Sequence, residues 1–330
     1  MRYLDLPTAK KWSAIGLGTW QFGSREWGYG SDYAQGPDSE ASRIVARALE
    51  LGVTVFDTAE AYGFGRSERI LGEALDRADA DPATTVVATK IFPVLPVDQV
   101  VVQRGTSSAA RLRRKIDLYQ VHQPNPVIGD GTTMAGMRTL QAAGVVDEVG
   151  VSNYGLERWQ GAETALGSQV ISNQVQYSLV AREPDRDLLP YARTAGRAIL
   201  AYSPLAQGLL SGKFDETHRP ANRVRSLNPL FLPESLRRAT PLVETLRAVA
   251  DAHDATPSQV ALAWTIHHPV AVAIPGASSV AQLESNCAAA EITLADDEYT
   301  ALTAAAESFE PVSGLSALAG IARAQIGVGR

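Results

Sequence analysis

Short apolar runs, each closing on a titratable side chain, constrain this sequence more than any other feature in it. Val53, Val55 and Phe56 lead into Asp57, with Tyr62 in the loop beyond; VVATK closes on Lys90, and IDLYQVH closes on His122. Runs of this length and composition read as buried strands. An acid, a phenol, an amine and an imidazole carried at strand ends converge only if the strands lie side by side and parallel. That is how a (β/α)8 TIM barrel builds a site.

The rest of the chain supplies the remaining units. Strands are expected over residues 13–18, 53–57, 84–90, 117–122, 145–151, 169–175, 198–202 and 270–274. Helices are expected over 40–51, 66–77, 97–114, 132–143, 156–166, 185–195, 234–252, 258–267 and 280–290. Asp38 and Ser39 offer an N-cap to the first helix and Gly52 a stop after it. Ile70, Leu71, Ala74 and Leu75 recur at helical spacing, as a helix on the outside of a barrel requires. The basic cluster RLRRK reads as a solvated helix end. Eight βα units with no linker between them make residues 1–330 a single barrel domain. It carries a long loop after strand 1 (21–37), a long loop after strand 7 (203–228) and a C-terminal tail (309–330) that either covers the barrel mouth or is partly disordered.

Composition narrows the partners. The 330 residues are 45% hydrophobic, enough for a large core, and the net charge of −6 without a long basic run argues for small molecules over nucleic acid. A single cysteine, Cys287, excludes an internal disulfide, fits a reducing compartment and reads as a buried helix residue. The N-terminus MRYLDLPTAKK lacks the apolar segment of a secretion signal, and no stretch approaches the ~18 apolar residues of a membrane span. A cytoplasmic protein is expected. His253, His267 and His268 fall on expected helices without other ligands beside them, so no metal is assigned.

In order along the chain stand GLGTW (16–20), FDTAEAYG (56–63), ATK (88–90), IDLYQVHQP (116–124), VGVSNY (149–154), SPLAQGLLSGK (203–213) and IPGASS with Gln282 and Asn286 (274–286). With these motifs the sequence resembles the aldo-keto reductases, nicotinamide-dependent carbonyl reductases on a (β/α)8 barrel. The resemblance covers nearly the whole chain. It implies Tyr62 as general acid, Lys90 and Asp57 as the pair that tunes it, and His122 as the group that orients the carbonyl. The chemistry asks for such a set on its own account. Hydride addition creates an alkoxide that must meet a proton donor, and a phenol near pKa 10 is too weak an acid unless a neighbouring ammonium stabilises the phenolate and lowers that value. Taken singly, each of these four types is more often structural; their convergence on one barrel face favours catalysis.

The resemblance also implies the cofactor contacts. Thr19 and Trp20 stand at the first strand end; Ser152, Asn153 and Gln174 would hold the carboxamide; Tyr202 would lie under the nicotinamide. Ser203, Leu205, Gln207 and Gly208 would follow the pyrophosphate, with Lys213 and Arg223 as nearby positive charge, and Gly276, Ser278, Gln282 and Asn286 would surround the adenosine end. No Gly-x-Gly-x-x-Gly follows a strand, which disfavours a two-domain dehydrogenase. Ser278 and Ser279 stand where many relatives carry a basic residue, and Ser285 where many carry a carboxylate. NADPH (NADP+) is expected, with NADH possible. Trp20, Trp27, Tyr29, Phe92 and Gln123 are candidates for the substrate pocket, or for rim packing. Reduction of an aldehyde or ketone is the expected reaction. The alternatives are oxidation of a sugar or other alcohol, and a cofactor-binding regulatory subunit resembling potassium-channel β subunits, which carry Asn at the place of His122.

Overall fold

The computed structural model describes residues 1–23, 39–220 and 223–314, with the side chains of residues 223 and 224 outside that description. Eight parallel strands run in sequence order around one sheet: β3 (Leu17–Gly18), β4 (Val55–Asp57), β5 (Val86–Ile91), β6 (Ile116–Val121), β7 (Val146–Ser152), β8 (Val170–Gln176), β9 (Ala198–Tyr202) and β10 (Ala271–Ala273). Parallel bridges Ile15↔Ala273 and Gly18↔Gly276 join the first strand to the last. The Gly16 N–H donates to Ala273 O at 2.8 Å and the Gly18 N–H to Pro275 O at 3.1 Å, so the ring closes. Glycine is needed at 18, where a Cβ would stand 2.8 Å from the Ile274 carbonyl oxygen.

Helices cover the outside because each carries an apolar stripe. They are α2 (Glu40–Glu50), α3 (Arg66–Arg77), α4 (Asp98–Leu112), α5 (Asp130–Ala142), α6 (Leu156–Leu166), α7 (Leu188–Ala195), α9 (Pro233–Ala252), α10 (Pro257–Thr265) and α11 (Val280–Ala288), joined by the single turns α1 (Trp20–Gly23) and α8 (Arg223–Ser226) and by α12 (Asp296–Glu307). Ser39 caps α2 by accepting the Ser42 N–H at 3.2 Å, and Gly52 follows at φ +78°. In α3 the expected Ile70, Leu71, Ala74 and Leu75 are buried. Cys287 is buried in α11. Among the described residues no helix is long and apolar enough to cross a membrane.

The structure departs from expectation in four places. The expected first strand over 13–18 is split: Trp12–Ser13 (β2) pairs antiparallel with Tyr3–Leu4 (β1), and only Leu17–Gly18 enters the barrel ladder. The loop expected from residue 21 begins as α1, while residues 24–38 lie outside the described residues. Helix α12 was not expected, since among its Ala and Thr residues only Leu302 and Ala306 are buried and the stripe is too thin to read. The RLRRK cluster is not wholly solvated: Arg111 pairs with Glu68 of α3, whose side chain is fully buried. The β1–β2 connection sends Lys10 to Asp117 and Thr85 O at the N-terminal ends of the strands, so the opposite, C-terminal face is left to carry a site.

Candidate active site

At the C-terminal face the ends of β4, β5 and β6 bring the four titratable groups together. Lys90, on a fully buried β5, donates from Nζ to Asp57 Oδ2 at 2.7 Å, to Thr58 O at 2.8 Å and to the Tyr62 hydroxyl at 3.3 Å. The second oxygen of Asp57 accepts the Gln174 amide at 2.7 Å. His122 meets Tyr62 edge-on with ring centroids 5.8 Å apart, and Phe92 flanks its ring at the same separation. Tyr62, His122 and Asp57 line one cavity of about 600 Å³, a size usual for small-molecule and cofactor sites.

The loop that carries Tyr62 is seated by close backbone approach. Gly63 has φ +60°, and a Cβ there would stand 2.3 Å from the Gly23 carbonyl oxygen; a Cβ on Gly23 would stand 2.4 Å from the Tyr62 carbonyl oxygen. Only glycine at both positions lets α1 pack against this loop.

Burial and charge then set the protonation states. Burial pushes the Tyr62 phenol above its ordinary pKa, and the Lys90 ammonium opposes the rise without cancelling it. This differs from the expectation of a lowered phenol, because desolvation of the phenolate outweighs attraction to one ammonium. For Lys90 burial is the largest single effect and acts downward, yet the Asp57 carboxylate and the Tyr62 oxygen together hold the ammonium above its usual value. Burial, helped by the Lys90 charge, pushes His122 down to about 3, so its imidazole is neutral at physiological pH. His122 Nδ1 is buried and meets no partner among the described residues.

The sequence profile of the Aldo/keto reductase family matches residues 14–307. The chain belongs to this family. It is an NAD(P)H-dependent oxidoreductase. An uncharacterized oxidoreductase of Mycobacterium tuberculosis strain H37Rv is 56% identical over 314 residues, 95% of each chain. The glycerol dehydrogenase of Gluconobacter oxydans superposes with a TM-score of 0.83 at 26% identity, over 94% of this chain and 97% of that one. An aldo/keto reductase of Klebsiella pneumoniae in complex with NADP and acetate superposes with a TM-score of 0.68 at 28% identity, over 92% and 94%.

Most of the residues expected to contact a cofactor line the same cavity of this aldo/keto reductase: Trp20, Ser152, Asn153, Gln174, Tyr202, Ser203, Leu205, Gln207, Gly208, Gly276, Ser278 and Gln282. Several are engaged with one another. The Tyr202 hydroxyl donates to Asn153 Oδ1 at 3.0 Å, Asn153 Nδ2 donates to His122 O and to Ser152 Oγ, and Ser152 Oγ donates to Gln174 O at 2.8 Å. Beyond β9 a run of positive φ at Ser203, Ala206, Gln207 and Gly208 curls the backbone, the kind of conformation in which successive N–H groups form an anion-binding concavity. Phe92 and Gln123, candidates for the substrate pocket, line the same cavity.

Six of the expected residues either stand off the cavity lining or lie outside the described residues. Thr19 is fully buried under the cavity, its hydroxyl donating to Asp57 O and bonded to Ser67, so it supports the floor and touches nothing in the cavity. Asn286 is likewise buried and donates to Gly276 O at 3.3 Å, holding that loop from behind. Lys213 is exposed and stands apart from the cavity lining. Trp27, Tyr29 and the Arg223 side chain lie outside the described residues.

Arg225 lines the cavity, and its Nε is buried without a partner among the described residues. Arg223 and Arg225 both belong to the single turn α8, and the register of one turn leaves no periodicity in a sequence. Gln21 was also missed. Its amide donates to Ala277 O at 2.8 Å and lies against Gly276, tying the end of β3 to the loop after β10. A glutamine beside GLGTW is the only signal available, and by itself it reads as the first residue of a loop.

Proposed function

We propose that this enzyme reduces an aldehyde or ketone to the alcohol with NADPH, Tyr62 donating the proton. The observation that carries the reading is the chain Asp57, Lys90, Tyr62 at 2.7 and 3.3 Å, ending in a cavity beside a neutral His122. A bound nicotinamide supplies the hydride. The residues of the chain do the rest. Among the described residues His122 has no acceptor at Nδ1, so its ring proton belongs on Nε2, from which it donates to the substrate carbonyl oxygen. When hydride reaches the carbonyl carbon the C=O π pair moves to oxygen, and the Tyr62 O–H gives its proton to that alkoxide. The phenolate left behind stands next to the Lys90 ammonium, and Asp57 keeps that ammonium charged. The raised phenol stays protonated at neutral pH until the alkoxide forms, and the Lys90 ammonium beside it offsets part of the cost that burial adds to releasing the proton.

Tyr62→Phe is expected to lower turnover by ~10² or more while cofactor binding stays near wild type. Turnover and cofactor Kd measured on one preparation decide it, and a Tyr62→Phe enzyme with wild-type turnover removes Tyr62 from the mechanism. The same groups run in reverse oxidise an alcohol, a reading favoured by the similarity to a glycerol dehydrogenase. Comparing kcat/KM for glycerol with NADP+ against that for simple aldehydes with NADPH ranks the two directions.

The preference for NADPH over NADH rests on Arg225, whose buried guanidinium nitrogen, without a partner among the described residues, is repaid by a phosphate. One charge-assisted contact of ~1.5–3 kcal/mol gives a preference of about tenfold to a hundredfold. Arg225→Ala should narrow it by weakening NADPH. Arg223→Ala, measured alongside, identifies the reader: Kd values that shift for NADPH only in the Arg223→Ala variant return the role to Arg223.

A further inference from the structure

Glu60 stands in the loop between Asp57 and Tyr62 and takes no part in the proton chemistry above. Its carboxylate accepts the backbone N–H of Phe92 through Oε1. Arg104 of α4 grips the same carboxylate with two nitrogens, Nε donating to Oε2 at 3.0 Å and Nη2 to Oε1. The third guanidinium nitrogen, Nη1, donates to Val94 O at 3.2 Å. A single forked ion pair therefore ties the loop that carries Tyr62 to both sides of the residue that follows Phe92.

Apolar burial holds that second loop only at Pro93 and Pro96. Phe92, Val94 and Leu95 are 37%, 58% and 65% exposed, and Leu95 adopts φ +47°. Besides the ion pair, its backbone is fastened by Asn125 Nδ2 donating to Pro93 O and the Thr133 hydroxyl donating to Pro96 O, both at 2.8 Å. His122 lies between the two loops, edge-on to Tyr62 and to Phe92 at 5.8 Å in each case. The side chains of Glu60 and Arg104 are 10% and 26% exposed, so solvent and salt screen the pair less than they screen a surface pair.

We propose that the Glu60–Arg104 pair fixes where Phe92 stands on the wall of the cavity it shares with Tyr62 and His122, and through it which carbonyl compounds the site accepts. Both are positioning residues, acting through the Phe92 backbone, and the inference rests on the carbonyl-reductase reading above. A flat aromatic aldehyde that spans the cavity is held against the Phe92 ring. A small aliphatic aldehyde that does not reach Phe92 is indifferent to the pair.

The test compares kcat and KM for benzaldehyde and for propanal, at saturating NADPH, in the wild type, Arg104→Met, Arg104→Lys and Glu60→Gln, together with NADPH Kd, Tm and the exchange rate of the Phe92 amide. Arg104→Met should raise KM for benzaldehyde roughly fivefold to tenfold, leave propanal within about twofold, leave NADPH Kd unchanged and speed exchange of the Phe92 amide. Glu60→Gln retains an acceptor for Phe92 and should recover most of the discrimination. Arg104→Lys keeps the charge without the fork and should fall between; it also serves if the Met variant does not fold. An unchanged benzaldehyde-to-propanal KM ratio overturns the proposal, as does a parallel loss for both substrates that tracks Tm. A wild type that reduces neither aldehyde overturns the carbonyl-reductase reading itself.

Discussion

Lys90 has three ammonium protons and three acceptors, Asp57 Oδ2, Thr58 O and the Tyr62 oxygen, so removing it strands more than a charge. Lys90→Met leaves Asp57 as a buried carboxylate held by the Gln174 amide with no cation beside it among the described residues, and should cost about 3–5 kcal/mol of stability as well as most of the activity. Asp57→Asn combined with Lys90→Met removes both charges and should unfold at higher denaturant than the single Lys90→Met variant; a double variant that is no more stable means the two are not energetically paired. His122 carries the opposite sign of pH dependence from a paired histidine. Its pKa is pushed down to about 3, against roughly 6.5 in an unfolded chain. Between those values the unfolded state binds the proton and the folded state does not, so this group's contribution to stability is lost as pH falls from about 6.5 toward 3. Urea unfolding at about pH 7 and about pH 4.5 should therefore show a smaller acid penalty in His122→Asn than in the wild type. The rate of reduction should show no inflection near the ordinary histidine pKa, and a clear one there means His122 titrates in the working range.

At the scale of elements, α1 and the loop after β4 are joined by glycines that admit no Cβ. Gly23→Ala would place a methyl 2.4 Å from the Tyr62 carbonyl oxygen, and backbone has no rotamer with which to move aside. The expected result is a stability loss of about 1–3 kcal/mol and a fall in kcat of tenfold or more, as the phenol shifts relative to Lys90. Thermal unfolding and kcat read both, and a Gly23→Ala enzyme with wild-type kcat shows that α1 does not seat Tyr62. Helices with wide apolar stripes, such as α3, could be read to the residue, whereas α12 could not, because two buried side chains in a run of Ala and Thr leave no period to detect.

For the whole molecule, closure of the ring couples its first and last strands to the cavity they share. Gln21 reaches across that seam to Ala277, and Gly18 meets Gly276, so a ligand lying on this loop bears on the closure itself. NADPH at a hundred times its Kd should stabilise the folded state by about 2.7 kcal/mol, seen as a rise in Tm. With Arg225→Ala the same NADPH concentration should give a smaller rise while the NADH response is unchanged. Equal rises in wild type and variant place Arg225 outside the binding energy.

Sequence alone determined the parallel eight-unit barrel and the four groups Asp57, Tyr62, Lys90 and His122 at its strand ends, since strand runs, helical stripes and the residues that close them are local patterns. It did not determine where Thr19, Asn286 and Arg225 point, nor that Gln21 crosses the seam, nor that Glu60 reaches Arg104. Those depend on the register of a one-turn helix, on which side of a strand faces the floor, and on contacts between residues such as Gln21 and Ala277 that are 256 positions apart. The direction of the Tyr62 pKa likewise followed from depth of burial against one ammonium, a balance set by packing and not by residue type.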